Sequence, residues 1–266
     1  MITNIQTKFI LELYEKYVED LRTVRKHQKE LYQEHFYSFT YRALQFVFKK
    51  RGFLLLKKLG SLLLKKRGLL LPSLDDIEAE ITYLLIREFR PRNMVEISPG
   101  RGWSTSWILN ALKDNNFGQL WSFDRISHST KALPITLTKG RWHFIKGDIR
   151  ENMGKLPKII DYLFMDSCHS SEFAEWYIKN IFPFLQSNIP ISVHDVFHSA
   201  DASSFGMEGK VITNWLHKKG IKYFTASPAK QKKVYDEIIS KKKELKINSL
   251  IHISTANPMI FFIFKK

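Results

Sequence analysis

Five apolar runs in this chain carry or stop at an acidic side chain, and two of those stops add a histidine. The run Met94-Val-Glu-Ile97 holds Glu96, and the others reach Asp124, Asp148, Asp166 and Asp195. Asp166-Ser-Cys-His169 puts an imidazole three residues past an acid, and His194-Asp195 is an adjacent pair. Imidazole titrates near neutrality, so His169 can take a proton from a hydroxyl at working pH. A positioned general base supplies about 10²–10⁴-fold in rate. His169 is therefore the candidate base, with Asp166 beside it.

A second constellation precedes it. Glu96-Ile-Ser-Pro-Gly100-Arg-Gly102-Trp-Ser104-Thr105 takes a strand into a glycine turn and then a helix. Gly100 and Gly102 can adopt backbone angles closed to other residues and let a ligand approach the main chain, while the helix offers unpaired N–H groups. A dinucleotide site would want a third glycine at 105, where Thr105 stands, and a carboxylate at 96 would repel phosphate. The ligand expected here carries a cation.

The elements needed to position these residues are legible. Strands are expected at 94–97, 118–124, 142–147, 160–166 and 189–193, each ending where ligands bind in open parallel sheets. Helical patterns fall at 105–113, 171–185 and 210–219, and Ser73-Leu-Asp-Asp76 opens a helix that should stop near Arg90-Pro91. Further strands are expected near Tyr223 and at 259–264. The alternation implies an α/β chain with a parallel sheet covered on both faces.

Glu96-x-Ser98-x-Gly100-x-Gly102 resembles the first motif of the class I methyltransferases, acidic-x-Gly-x-Gly-x-Gly, with Ser98 replacing the first glycine and narrowing the turn. S-adenosylmethionine has the required cationic groups, an amino group and a sulfonium. The resemblance implies that Glu96, Ser98, Gly100, Gly102 and Ser104 hold its methionine end and that Asp166 faces it. Asp124, with Arg125 beside it, would hold the ribose, and Asp148 the adenine. It also implies a three-layer Rossmann-like fold over 73–266. Its seven strands would run in the order 3-2-1-4-5-7-6, the seventh antiparallel, with a helical N-terminal extension at 1–72.

Leu163-Phe-Met-Asp-Ser-Cys-His-Ser-Ser-Glu172 and Val193-His-Asp-Val-Phe197 are similar to a narrower group, with Asp-Gly-Asp-His-Ser-Tyr-Glu after the fourth strand and His-Asp after the fifth. This group includes relatives of cephalosporin-pathway and macrolide-sugar O-methyltransferases. By that resemblance Asp166, His194 and Asp195 hold Mg²⁺, an ion that prefers oxygen ligands, and His169 is the base. Two positions depart from the pattern: Cys168 replaces a second Asp, and His194 stands where some members have Glu. Cys168 reads as a buried small residue. The polar loop 198–209 would border the acceptor, with His169, His194, Asp201, Phe205 and Glu208 as its candidate contacts. A hydroxyl of a sugar, glycan or small molecule is the expected acceptor.

Composition bounds the alternatives. The chain has 266 residues, a single cysteine and a net charge of +16, which favours a reducing compartment and any polyanionic partner. No uncharged apolar run approaches the ~20 residues needed to span a bilayer, and the N-terminus lacks a signal peptide's apolar core, so cytoplasmic residence is expected. Residues 10–48 read as helical, with Leu11, Tyr14, Val18, Leu21 and Val24 on one stripe. Then Phe53-Leu-Leu-Leu-Lys-Lys-Leu-Gly recurs as Ser61-Leu-Leu-Leu-Lys-Lys-Arg-Gly in a stretch free of acids. Three roles suit this segment: packing on the catalytic domain or on a second subunit of a homo-oligomer, peripheral attachment to an anionic membrane, or nucleic-acid binding, for which it lacks interleaved aromatics. The lysines at 230–233 and 241–246 read as solvated. An RNA or DNA methyltransferase is disfavoured because the Asn/Asp-Pro-Pro-aromatic motif is missing after the fourth strand. A catalytically silent protein docking on membranes is the alternative from another class.

Overall fold

The computed structural model describes residues 4–49, 70–197, 208–252 and 257–266, with side chains described outside 36–49. The repeat at 53–68 and the candidates Asp201 and Phe205 lie outside the described residues.

Seven strands form one sheet: β1 Asn93–Ile97, β2 Gln119–Asp124, β3 Trp142–Lys146, β4 Tyr162–Met165, β5 Pro190–Val193, β6 Tyr223–Phe224 and β7 Ile260–Ile263. The order is β3-β2-β1-β4-β5-β7-β6, parallel except that β7 runs antiparallel to both β5 and β6, as the sequence implied. Side chains alternate across the sheet. Met94, Tyr162, Phe164 and Phe261 enter one apolar layer, and Val95, Leu163, Met165 and Phe262 enter the other. Burial on both faces is why these strands read as nearly unbroken apolar runs.

Helices α1 Thr7–Lys16, α2 Val18–Lys49, α3 Asp76–Phe89 and α4 Trp103–Asp114 precede β2; short α5 Ser129–Ala132 and α6 Ile135–Thr138 precede β3. Later come α7 Ser171–Asn180, α8 Glu208–Lys218 and α9 Pro228–Glu244. Local chemistry sets their ends. Asp75, not Ser73, caps α3, because Glu78 three residues on completes a reciprocal capping box. The helix closes at left-handed Arg90 before Pro91. Helix α4 starts at Trp103, two residues earlier than expected, since Gly102 takes φ 93° as its cap. The expected helix over 171–185 ends at Asn180 and passes into a 3₁₀ turn, Phe182–Phe184, that contains Pro183.

The N-terminal helical stretch is two helices broken at Tyr17, whose hydroxyl donates to Glu88 at 2.9 Å while Arg87 lies over its ring. Ile10, Leu13, Tyr14, Leu21 and Val24 are buried in the same core as α3 and α4. A buried charge cluster also joins these layers. Glu80 accepts from Tyr14 at 2.8 Å and from Lys242 at 2.9 Å, and pairs with Arg25. The lysine run at 241–246 is therefore not wholly solvated: Lys242 is 3 % exposed, and its neighbours on the other faces of α9 meet water. Among the described residues no helix is long and apolar enough to cross a membrane.

Candidate active site

The glycine turn leaves β1 at Ser98. Its φ of 65° is the left-handed conformation that the first glycine would supply, so the serine keeps the turn rather than reshaping it. Behind the turn lies Glu96, 0 % exposed. Its carboxylate accepts from Ser104 Oγ at 2.7 Å, Thr105 Oγ1 at 2.9 Å and Ser122 Oγ at 2.6 Å. Burial pushes its pKa up to about 7, against the pull of those three hydroxyls. Glu96 and Ser104 thus brace the loop from behind.

In front of the turn opens a cleft at the C-terminal edge of the strands. Ser98, Asp124, Arg125 and Asp148 line it, together with Ser167 and Cys168. Asp124 Oδ2 accepts from the Gly100 amide at 2.9 Å and Oδ1 from Ile126 at 2.9 Å, which fixes the acid against the glycine turn. Burial raises its pKa, partly offset by these amides. Asp148 pairs with Arg150 at 2.8 Å, which holds its carboxyl below the usual carboxylate range. Among the described residues Ser167 Oγ is buried without a hydrogen-bond partner. Cys168, expected to be buried, is exposed, because the β4–α7 loop turns it outward at the cleft.

Beside the cleft the two histidines and their acids meet. His194 is buried, with Nδ1 3.1 Å from Asp166 Oδ1 and 3.3 Å from Asp195 Oδ1. Its Nε2 lies 3.4 Å from Glu78 Oε2. Burial disfavours its charged form, yet Asp166 and Glu78 outweigh that and raise its pKa well above the ordinary value. The Nδ1 edge of His194 thus meets the two acids with which the resemblance groups it. His169 meets the same two acids. Its Nε2 is 3.2 Å from Asp195 Oδ2 and 3.6 Å from Asp166 Oδ1. Asp166, His169 and Asp195 each offer one ligand atom within 4.8 Å of the others. Glu208 approaches the opposite nitrogen of His169 at 2.9 Å. His169 is also raised in pKa: burial opposes the charge, and Glu208, Asp195 and Asp166 favour it.

Residues 95–196 match the family model of a methyltransferase domain. The match runs from within β1 to just past β5, the strands that carry the site. Solved structures share the fold of this chain. A putative caffeoyl-CoA O-methyltransferase from Staphylococcus aureus superposes with a TM-score of 0.52 at 12 % identity, covering 85 % of this chain and 98 % of that one. Cofactor-bound Rv0187 from MTB gives 0.51 at 14 % identity over 72 % and 81 %. The O-methyltransferase TomG from Streptomyces achromogenes, in complex with SAM, gives 0.50 at 13 % over 73 % and 82 %. No curated protein matches the chain by sequence.

The sequence reading missed Glu78, whose box-forming role in α3 was its only visible signal. It named Glu208 only as a loop residue, because nothing in the pattern links residue 208 to residue 169.

Proposed function

We propose that the protein transfers a methyl group from S-adenosylmethionine to a hydroxyl of a sugar, glycan or small-molecule acceptor, with His169 taking the proton. The observation that carries this is the meeting of His169 Nε2 with Asp166 and Asp195 beside a cleft walled by Asp124 and Asp148. Likeness of fold to O-methyltransferases supports the reading.

Asp124, anchored at the turn, offers its remaining lone pairs to the ribose hydroxyls, and Asp148 and Ser167 face the rest of the cleft. S-adenosylmethionine supplies the methyl group when bound. As the methyl group passed from the sulfonium to the acceptor oxygen, with S-adenosylhomocysteine as the leaving group, Nε2 of His169 would take the hydroxyl proton. Mg²⁺, when bound, would be held by the carboxylates of Asp166 and Asp195 with waters completing the shell, leaving Nε2 of His169 for the proton. It would offset the carboxylate charge and draw the acceptor hydroxyl toward ionisation.

Calorimetric titration with S-adenosylhomocysteine tests the cofactor half: tight binding supports it, and no binding by folded protein with or without Mg²⁺ sinks it. Acceptors are then screened by methyl transfer, comparing wild type with His169→Asn. Loss of turnover with retained cofactor binding is expected, and full turnover refutes the base.

A further inference from the structure

Glu208 is a carboxylate of the site that lies outside the strand ends, and it is 1 % exposed. Burying an acid costs several kcal/mol unless a partner answers it, and here the close partner is His169 Nδ1 at 2.9 Å. A carboxylate only accepts, so the contact requires the proton on Nδ1.

The seat of Glu208 is tightly built. It opens α8, and the next residue, Gly209, packs so closely on the exit of β5 that a Cβ there would run into the carbonyl of Val196. Thr213 Oγ1 donates to the Gly209 carbonyl at 2.6 Å, tightening the first turn. On the side of α7 the buried ring of Tyr177 faces the same carboxylate; burial and then Glu208 raise the phenol's pKa well above its ordinary value. His169 is fixed from its own side as well, in the left-handed region at φ 53°.

We propose that Glu208 is a positioning residue for the transfer reaction: its buried carboxylate accepts the Nδ1–H of His169 and so presents the Nε2 lone pair toward Asp166, Asp195 and the acceptor. The logic is that of a third group orienting a histidine base. Without Glu208, Asp195, whose Oδ2 lies 3.2 Å from Nε2, is an acceptor for that edge of the ring, and a neutral ring protonated there carries its proton on the wrong nitrogen for a base. The proposal rests on His169 being the base, but its test does not require turnover.

The test reads the tautomer directly, by two-bond ¹H–¹⁵N correlation on the full-length protein with EDTA present, at a pH where the imidazole is neutral. The His169 signals are assigned by their loss in His169→Asn. Wild type should show a protonated Nδ1, Glu208→Gln should keep it through the amide oxygen, and Glu208→Ala should move the proton to Nε2. A wild-type ring protonated on Nε2 overturns the proposal even if Glu208→Ala fails to fold, and so does a Glu208→Ala ring that keeps its proton on Nδ1. Full turnover in His169→Asn would instead strike the base assignment, leaving the tautomer result to stand.

Discussion

Glu96 makes stability depend on pH in a direction opposite to that of most acids. The unfolded carboxyl ionises near 4.5, while burial in the native state raises its pKa to about 7. Between those values the native state holds a proton that the unfolded chain has released, so stability is greatest below the lower value and falls as pH rises through the upper one. A shift of this size corresponds to about 3 kcal/mol. Glu96→Gln removes the ionisation and keeps an amide that Ser104, Thr105 and Ser122 can still bond, since hydroxyls donate or accept. Urea unfolding of both proteins, followed by tryptophan fluorescence from about pH 5 to 8, isolates the effect, because every other group titrates in both. The variant should gain on wild type as pH rises, by up to about 3 kcal/mol. A difference that is flat with pH would refute the reasoning and mean that the three hydroxyls keep the carboxylate ionised throughout.

Asp124→Ala removes the anchor of the Gly100 amide as well as the cleft's acid, and calorimetry should show S-adenosylhomocysteine binding at least ten-fold weaker, a loss of about 1.4 kcal/mol or more; unchanged affinity would exclude Asp124 from the cofactor site. Lys242→Met leaves buried Glu80 with only Tyr14 and Arg25, so urea unfolding should show a loss of about 3 kcal/mol, and a loss under about 0.5 kcal/mol would mark the lysine as dispensable. Gly118→Ala drives a Cβ into the Pro91 carbonyl and the Leu112 side chain at a φ of 96°, and thermal unfolding should fall by on the order of 2–4 °C per kcal/mol of a 1–3 kcal/mol cost; an unchanged midpoint would mean the turn before β2 yields freely.

The strands were legible because the central ones are buried on both faces and so are largely apolar, and their runs ended visibly near Asp124, Asp148, Asp166 and Asp195. The glycine turn was legible for the same local reason: Gly100 and Gly102 occupy positions few other residues tolerate. What failed were features that depend on partners far along the chain. His169 and Glu208 are 39 residues apart, and His194 and Glu78 meet only because α3 packs beside β5. A histidine next to an aspartate looks like a ligand in sequence, and the second carboxylate on its far side, Glu78 in α3, shows only in the fold. The burial of Lys242 was hidden likewise, since its partner Glu80 sits 162 residues away.

Three non-glycine residues at the strand exits hold the left-handed backbone that side chains resist: Ser98 after β1, His169 after β4 and Asp195 after β5. Each costs on the order of 1–2 kcal/mol, and such residues persist only where the surroundings over-determine them. Here the sheet does so. The amide of Ser98 is tied to Phe123 at 2.8 Å, that of Asp166 to Ile97 at 3.2 Å and that of His194 to Met165 at 2.9 Å, so each exit is laced to its neighbour just before the chain turns. Val196 is then tied to Pro258 at 2.8 Å, which locks the far side of Asp195. The lacing costs nothing extra, because these bonds continue the pairing of the strands themselves. A parallel sheet therefore supplies both the apolar core and the anchorage that lets His169 and Asp195 turn inward toward one point.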